Sequence, residues 1–67
     1  MKKTEMVLKY ISSEELQDCI NDYNQDKRAL AVTSLRRLLE PHMGVLSLPT
    51  VANIMKELII ESNQQNQ

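Results

Sequence analysis

Cysteine, histidine and glycine each occur once in this 67-residue sequence, and phenylalanine and tryptophan are absent. The single cysteine, Cys19, excludes a disulfide within the chain, and Cys19 and His42 together provide too few nitrogen and sulfur ligands for a zinc site. One glycine, Gly44, is too few for a glycine-rich phosphate-binding loop. We therefore expect neither a metal nor a cofactor, and a chain this short forms at most one domain.

The sequence also lacks a recognisable catalytic constellation. His42 has no partner motif, and no serine lies in a Gly-x-Ser-x-Gly turn. The acidic residues Glu14 and Glu15 are explained by the preference for negative charge in the first turn of a helix. We therefore predict that the protein is not an enzyme.

Long apolar segments are missing as well. No unbroken apolar run approaches the roughly 20 residues that a membrane span needs. Lys2 and Lys3 are not followed by the apolar region of a secretory signal. Together with the single thiol, these features predict a cytoplasmic protein without a membrane partner.

What the chain does contain is 42% hydrophobic and 25% charged residues, which is typical of a folded domain. The hydrophobic residues recur with helical spacing, so we predict an all-α fold: a three-helix bundle, or a four-helix bundle if the N-terminal arm is helical. The first helix is expected over residues 13–24. Ser12 and Glu15 have the spacing of a capping box, and Ile11 and Leu16 that of a hydrophobic staple.

The second helix is predicted over residues 27–40, with Asp26 as its N-cap and Pro41 as its end. The third is predicted over 48–62, with Ser47 as its N-cap and Pro49 in its first turn. These helices form one helical domain over 12–62. The polar residues 63–67 are expected to be a disordered tail.

Residues 1–11 form an N-terminal arm whose conformation the sequence leaves open. In residues 4–11, Met6, Leu8 and Tyr10 alternate with Glu5, Val7 and Lys9, and the residue types favour a strand. A strand here would have to pair with another copy or with a partner's edge. A short helix, with Met6 and Tyr10 on one side, is the slightly favoured alternative.

The third helix carries a wider apolar arc than one neighbouring helix requires. We interpret this arc as surplus apolar surface, which marks an interaction site and predicts homodimerisation. The predicted interface residues are Val51, Ile54, Met55, Leu58 and Ile59.

Charge is distributed unevenly along the chain. Residues 12–25 carry a net charge of −4 and residues 26–40 a net charge of +2. Such blocks are either solvated faces or docking patches for a partner of opposite sign. The candidate docking patch consists of Lys27, Arg28, Arg36 and Arg37.

The stretch from Gly44 reads Gly-Val-Leu-Ser-Leu-Pro-Thr-Val and leads into the third helix. It resembles the turn and recognition helix of winged-helix and related helix-turn-helix repressors, where the pattern reads Gly-Val-Ser-x-Pro-Thr-Val. The resemblance covers about 15 residues and implies that Thr50, Asn53 and Lys56 would read DNA. A ribbon-helix-helix dimer, with residues 4–10 as its strand, is a related alternative.

Two observations weigh against DNA binding. Leu46 is one residue too many for the repressor pattern, and a helix that ended at Pro41 would make the turn too long for the motif. The pI of about 5.7 is also far below the basic values typical of DNA-binding domains. We therefore favour a small regulatory protein, such as an antagonist, adaptor or antitoxin-like module, that binds another protein. DNA binding is the alternative.

Overall fold

A computed structural model describes residues 2–65 of the chain. It is all-helical, with four helices and no strand in this range, and so confirms the predicted small helical bundle. In chain order the helices are α1 (Lys3–Leu8), α2 (Ser13–Asn24), α3 (Arg28–Met43) and α4 (Leu48–Gln65).

The N-terminal arm forms the short helix α1 rather than a strand. The backbone N–H groups of Lys3 and Thr4 donate to the Glu61 carboxylate of α4, at 3.0 and 2.9 Å. These bonds satisfy two of the free N–H groups that begin every helix. Val7 is fully buried against the rest of the bundle, so α1 is part of the core.

The start of α2 has the capping box that its sequence predicts. The Ser12 hydroxyl accepts a hydrogen bond from the Glu15 backbone N–H at 3.1 Å, and the Glu15 carboxylate accepts one from the Ser12 N–H at 3.0 Å. Ile11 and Leu16, the two staple residues, are both buried. The pattern thus fixes both the first residue of α2 and the direction from which the chain enters it.

The turn between α2 and α3 is a Schellman motif with an aspartate in the position that usually holds glycine. Asp26 has a positive φ of 63°. The Asp26 N–H donates to the carbonyl of Tyr23, and the Lys27 N–H donates to the carbonyl of Asp22. Asp26 therefore ends α2, and the prediction that its side chain caps the next helix is wrong: the N-cap is Lys27, without a side-chain bond.

The prediction that Pro41 ends the second helix is also wrong, since α3 continues to Met43. Proline removes a single helical hydrogen bond, and its fixed φ is itself helical. The helix resumes at once, because the Gly44 N–H donates to the Glu40 carbonyl at 2.9 Å. The extra turn also gains a tertiary contact, in which the His42 ring stacks on Tyr10 of the segment after α1, at 5.2 Å between centroids.

Gly44–Ser47 form a four-residue connector to α4, and the axes of α3 and α4 are bent by 106°. Gly44 has a φ of 77°, which a residue with a side chain rarely adopts. The Ser47 hydroxyl accepts a hydrogen bond from the Thr50 N–H at 3.3 Å, as expected of the N-cap.

α4 extends beyond its predicted end at residue 62. Residues 63–65 are helical, so the predicted disordered tail is wrong for them, and Asn66 and Gln67 lie outside the described residues. Neither glycine nor proline interrupts this part of the sequence. The α1 backbone also binds Glu61 and so holds the penultimate turn of the helix in place.

All four helices contribute to a single core. α3 packs against both α2 and α4, and α1 closes the bundle by packing on α4 and α2. The largest fully buried side chains are Leu35, Leu39, Met55, Leu58, Val7 and Val51.

Candidate protein-binding groove

The residues predicted to form the interface lie mainly inside the bundle. Val51, Ile54, Met55 and Leu58 are buried in the core, and Ile59 is partly buried against it. The reason is that α4 contacts α1, α2 and α3 rather than one neighbour. Most of its wide apolar arc is therefore used within a single chain, and Leu48 at its N-terminal end stays half exposed.

Other apolar side chains remain in contact with solvent. Leu30, Val45, Leu48 and Ile60 are each at least half exposed. Single exposed apolar side chains are ordinary on a protein surface, whereas a concave apolar patch is not. Of these four, Leu48 lines a groove between α3 and α4.

This groove, which we call the α3/α4 groove, has a volume of about 450 Å³. From α3 it is lined by Arg28, Ala29, Val32 and Thr33. From α4 it is lined by Leu48, Pro49, Ala52 and Lys56, and Tyr23 of α2 closes one side.

Small side chains explain why a groove forms here. Ala29 and Ala52 lie on the two helices that form its walls, and neither fills the space between the walls. On α4, Leu48, Ala52 and Lys56 follow at intervals of four residues, which places them in one row along the helix. The α4 wall of the groove is therefore mostly apolar, with the Lys56 side chain at one end of the row.

Two cations border the α3/α4 groove without an internal counter-charge. The Arg28 guanidinium lies over the Tyr23 ring, 5.3 Å from its centroid. Among the described residues an ion pair joins Lys3 to Glu57, at 4.0 Å, and neither Arg28 nor Lys56 forms one. The positive charge of Arg28 and Lys56 is thus open to a ligand.

The four cations predicted to form one docking patch are separated in the structure. Arg28 lines the α3/α4 groove, and Lys27 is exposed in the turn before it. Arg37 instead lines a second groove of about 370 Å³, together with acidic residues of α2. Arg36 is partly buried, and its Nε atom has no hydrogen-bond partner.

The three residues predicted to read DNA in the alternative interpretation are all exposed on α4. The Thr50 hydroxyl is 2.7 Å from that of Ser47, so it already takes part in the helix cap. Neither Asn53 nor Lys56 forms a side-chain hydrogen bond or ion pair within residues 2–65. Lys56 is shared between this face and the α3/α4 groove.

Cys19 and His42 occupy separate parts of the bundle. Burial, together with the nearby carboxylates of Asp22, Asp18 and Glu15, raises the pKa of the Cys19 thiol to about 11. A thiol with such a pKa is almost entirely protonated at neutral pH and a poor nucleophile. His42 is engaged with the Tyr10 ring at the end of α3.

Sequence reasoning missed most of the α3/α4 groove. The predicted site residues do not include Ala29, Leu48, Ala52 or Tyr23, all of which line the groove. The sequence does contain a signal for such a groove, because an alanine one helical turn from larger residues leaves a depression on that face of the helix. The path of the Gly44–Ser47 connector then decides which of these depressions face one another.

No helix in the described part of the chain is by itself long and apolar enough to cross a membrane. α3 and α4 meet that criterion only when taken together as a bent pair.

Comparison of the chain with family models, with curated proteins and with solved structures found no match.

Proposed function

We propose that this chain is a small, non-enzymatic regulatory protein that acts by binding another protein in the α3/α4 groove. The observation that carries the proposal is an open, mostly apolar groove beside a half-exposed leucine, Leu48. Concave apolar surface of this kind is where proteins usually bind ligands or partners. A single buried thiol is in keeping with action in the reducing cytoplasm.

The proposal moves the binding surface away from the residues expected from the sequence. Val51, Ile54, Met55 and Leu58 support it only indirectly, since they hold α4 against the rest of the bundle. Leu48 and Ala52 lie one turn from these core residues, on the side of α4 that faces the groove. The rigid core therefore fixes the shape of the groove walls.

Site-specific photo-crosslinking in the source cell tests this proposal. A benzophenone side chain at position 48 should yield an adduct with another protein. Position 8 is the matched control, because Leu8 is also a partly exposed leucine but lies on α1, outside the groove. Absence of a protein adduct at position 48, or equal adducts at both positions, would contradict the proposal.

A second candidate function, DNA binding, is favoured by one observation. A four-residue connector and a 106° bend between α3 and α4 fall within the geometry of helix-turn-helix motifs. The turn is therefore not too long for the motif, because Pro41 lies inside α3 and the connector is short. The net charge of −1 still provides little attraction for phosphates.

Fluorescence anisotropy with a mixed-sequence duplex at low salt tests this candidate. If α4 binds DNA, the anisotropy of the duplex should rise at low salt, and the affinity should fall steeply as salt is added. The Asn53→Ala and Lys56→Ala variants should bind more weakly than the wild type. Thr50→Ala would be a poor choice of variant, since it also removes a helix-cap contact. No binding at low salt would exclude DNA as the ligand of α4.

A further inference from the structure

We infer that the α3/α4 groove binds an acidic, amphipathic helical segment of a different protein. This inference rests on the proposed function and specifies the chemistry of the partner. It is drawn from the charges of the groove, from their lack of internal counter-charges, and from the spacing of the side chains along its α4 wall.

The charges of the groove favour an acidic partner. Arg28 and Lys56 lie on different walls of the groove, and no acidic residue lines it. A partner that covered the groove with apolar side chains alone would remove water from two unpaired cations, which is unfavourable. A partner with carboxylates beside its apolar residues avoids that cost and is attracted from a distance.

The second groove shows the opposite arrangement. Arg37 is accompanied there by Glu15, Asp18 and Asp22, so the chain supplies its own anions. The contrast matters because both grooves are formed with α3 and both contain arginine. The α3/α4 groove, by contrast, is lined by two positive charges and no negative one, so its anions must come from a partner.

The state of Arg28 favours a carboxylate in particular. Its guanidinium rests on the Tyr23 ring, which limits the positions that the side chain can occupy. A guanidinium held beside a ring by a cation–π contact still has its N–H groups free to donate two parallel hydrogen bonds to one carboxylate. Binding such a group would therefore need little further ordering of Arg28.

The shape of the groove favours a helix as the bound segment. Leu48, Ala52 and Lys56 span two turns of α4, a length of about 12 Å at 1.5 Å per residue. A helix laid along this row places apolar residues at i, i+3 or i+4, and i+7 against Leu48 and Ala52. Acidic residues at the border of its apolar face then lie near Arg28 and Lys56.

Nucleic acid fits the same groove less well. Its phosphates would pair with two cations only, and the lining between these cations is apolar. Phosphate binding requires several cations along the backbone, and apolar walls offer nothing to a charged strand. We therefore assign the groove to a protein segment.

The test combines crosslinking at position 48 with charge reversal. Mass spectrometry should locate the crosslink in a segment of another protein that has helical apolar spacing and a net negative charge. Arg28→Glu and Lys56→Glu should each reduce the yield of this adduct about tenfold, the factor that corresponds to about 1.4 kcal/mol. Higher salt should reduce the wild-type yield as well.

Lys9→Glu is the matched control, because it makes the same change in charge at an exposed lysine outside the groove. Its adduct yield should equal that of the wild type, and circular dichroism should show that all three variants are folded. The inference fails if the crosslinked segment is neutral or basic, is a second copy of this chain, or is nucleic acid. It also fails if charge reversal leaves the yield unchanged. If the crosslinked segment is neutral or basic but belongs to a different protein, or if charge reversal has no effect, the adduct at position 48 still supports the proposed function. Absence of any adduct would remove both.

Discussion

Asp26 shows how one residue determines the relative placement of two helices. Its φ of 63° lets the chain reverse between α2 and α3. That turn brings Arg28 beside Tyr23 and so forms one end of the α3/α4 groove. A residue with a Cβ atom adopts this conformation at a cost, and aspartate at a helix C-terminus also opposes the helix dipole.

We predict that Asp26→Gly stabilises the protein by about 1 kcal/mol, since glycine adopts a positive φ freely. For a domain of this size the melting temperature should rise by roughly 4–8 °C. Thermal unfolding monitored by circular dichroism measures the melting temperature. Asp26→Asn is the control, because it removes the charge but keeps the side chain. Equal stabilisation by both variants would show that charge, not backbone conformation, is the cause.

Glu61 is a second residue with an effect beyond its own helix. Partial burial alone would raise the pKa of its carboxyl group, but hydrogen bonds from Thr4 and Lys3 outweigh burial and lower it, with help from Lys2. A lowered pKa means that the folded state favours the ionised form. The resulting stabilisation is present above the ordinary value of 4.5 and disappears as the pH falls through the lowered one.

We therefore predict that Glu61→Gln lowers the melting temperature at pH 7, because the α1 backbone loses a charged acceptor. The difference from the wild type should shrink as the pH is lowered below 4.5 and the wild-type carboxylate is protonated. Glu57→Gln is the control, since Glu57 has only a 4.0 Å ion pair with Lys3 between half-exposed side chains. A difference that persisted in acid would contradict this account.

At the scale of the helix, local signals were reliable wherever a side chain bonds to its own turn. The caps at Ser12 and Ser47 were predicted because the hydroxyl and the N–H that it binds are three residues apart. The same reasoning failed at Asp26 and Pro41. There the outcome depended on backbone conformation and on a contact with Tyr10, a residue distant in sequence.

We predict that Ser12→Ala destabilises the protein by about 1 kcal/mol, because the capping box of α2 is lost. Ser13→Ala should have little effect, since Ser13 lies inside the helix and has no recorded side-chain bond in the described range. Chemical denaturation of the two variants measures the difference. Equal stabilities would mean that the box contributes nothing to the bundle.

At the scale of the molecule, the sequence predicted the fold class and most of the core, but it assigned the interaction surface to residues that lie in the core. The apolar pattern of α4 shows how many of its faces are covered, but not what covers them. Within the described residues the covering elements are α1, α2 and α3. A folded N-terminal arm therefore accounts for apolar surface that the sequence had assigned to a second copy.

Homodimerisation remains a prediction, and in this fold it must use exposed apolar side chains such as Leu30, Val45 and Ile60. Sedimentation equilibrium at micromolar concentrations should then give about twice the chain mass of 7.7 kDa. Val45→Gln with Ile60→Gln should reduce the mass to that of one chain while circular dichroism shows that the chain stays helical. A wild-type mass of 7.7 kDa over the whole concentration range would exclude the dimer.

The buried thiol of Cys19, the one cysteine in the sequence, allows local opening of the bundle to be measured by chemical labelling. With a pKa near 11, it should react with iodoacetamide only while α2 is transiently detached. The labelling rate, divided by that of a free cysteine peptide, then gives the detached fraction. Ser12→Ala should speed labelling about fivefold, the factor expected for about 1 kcal/mol.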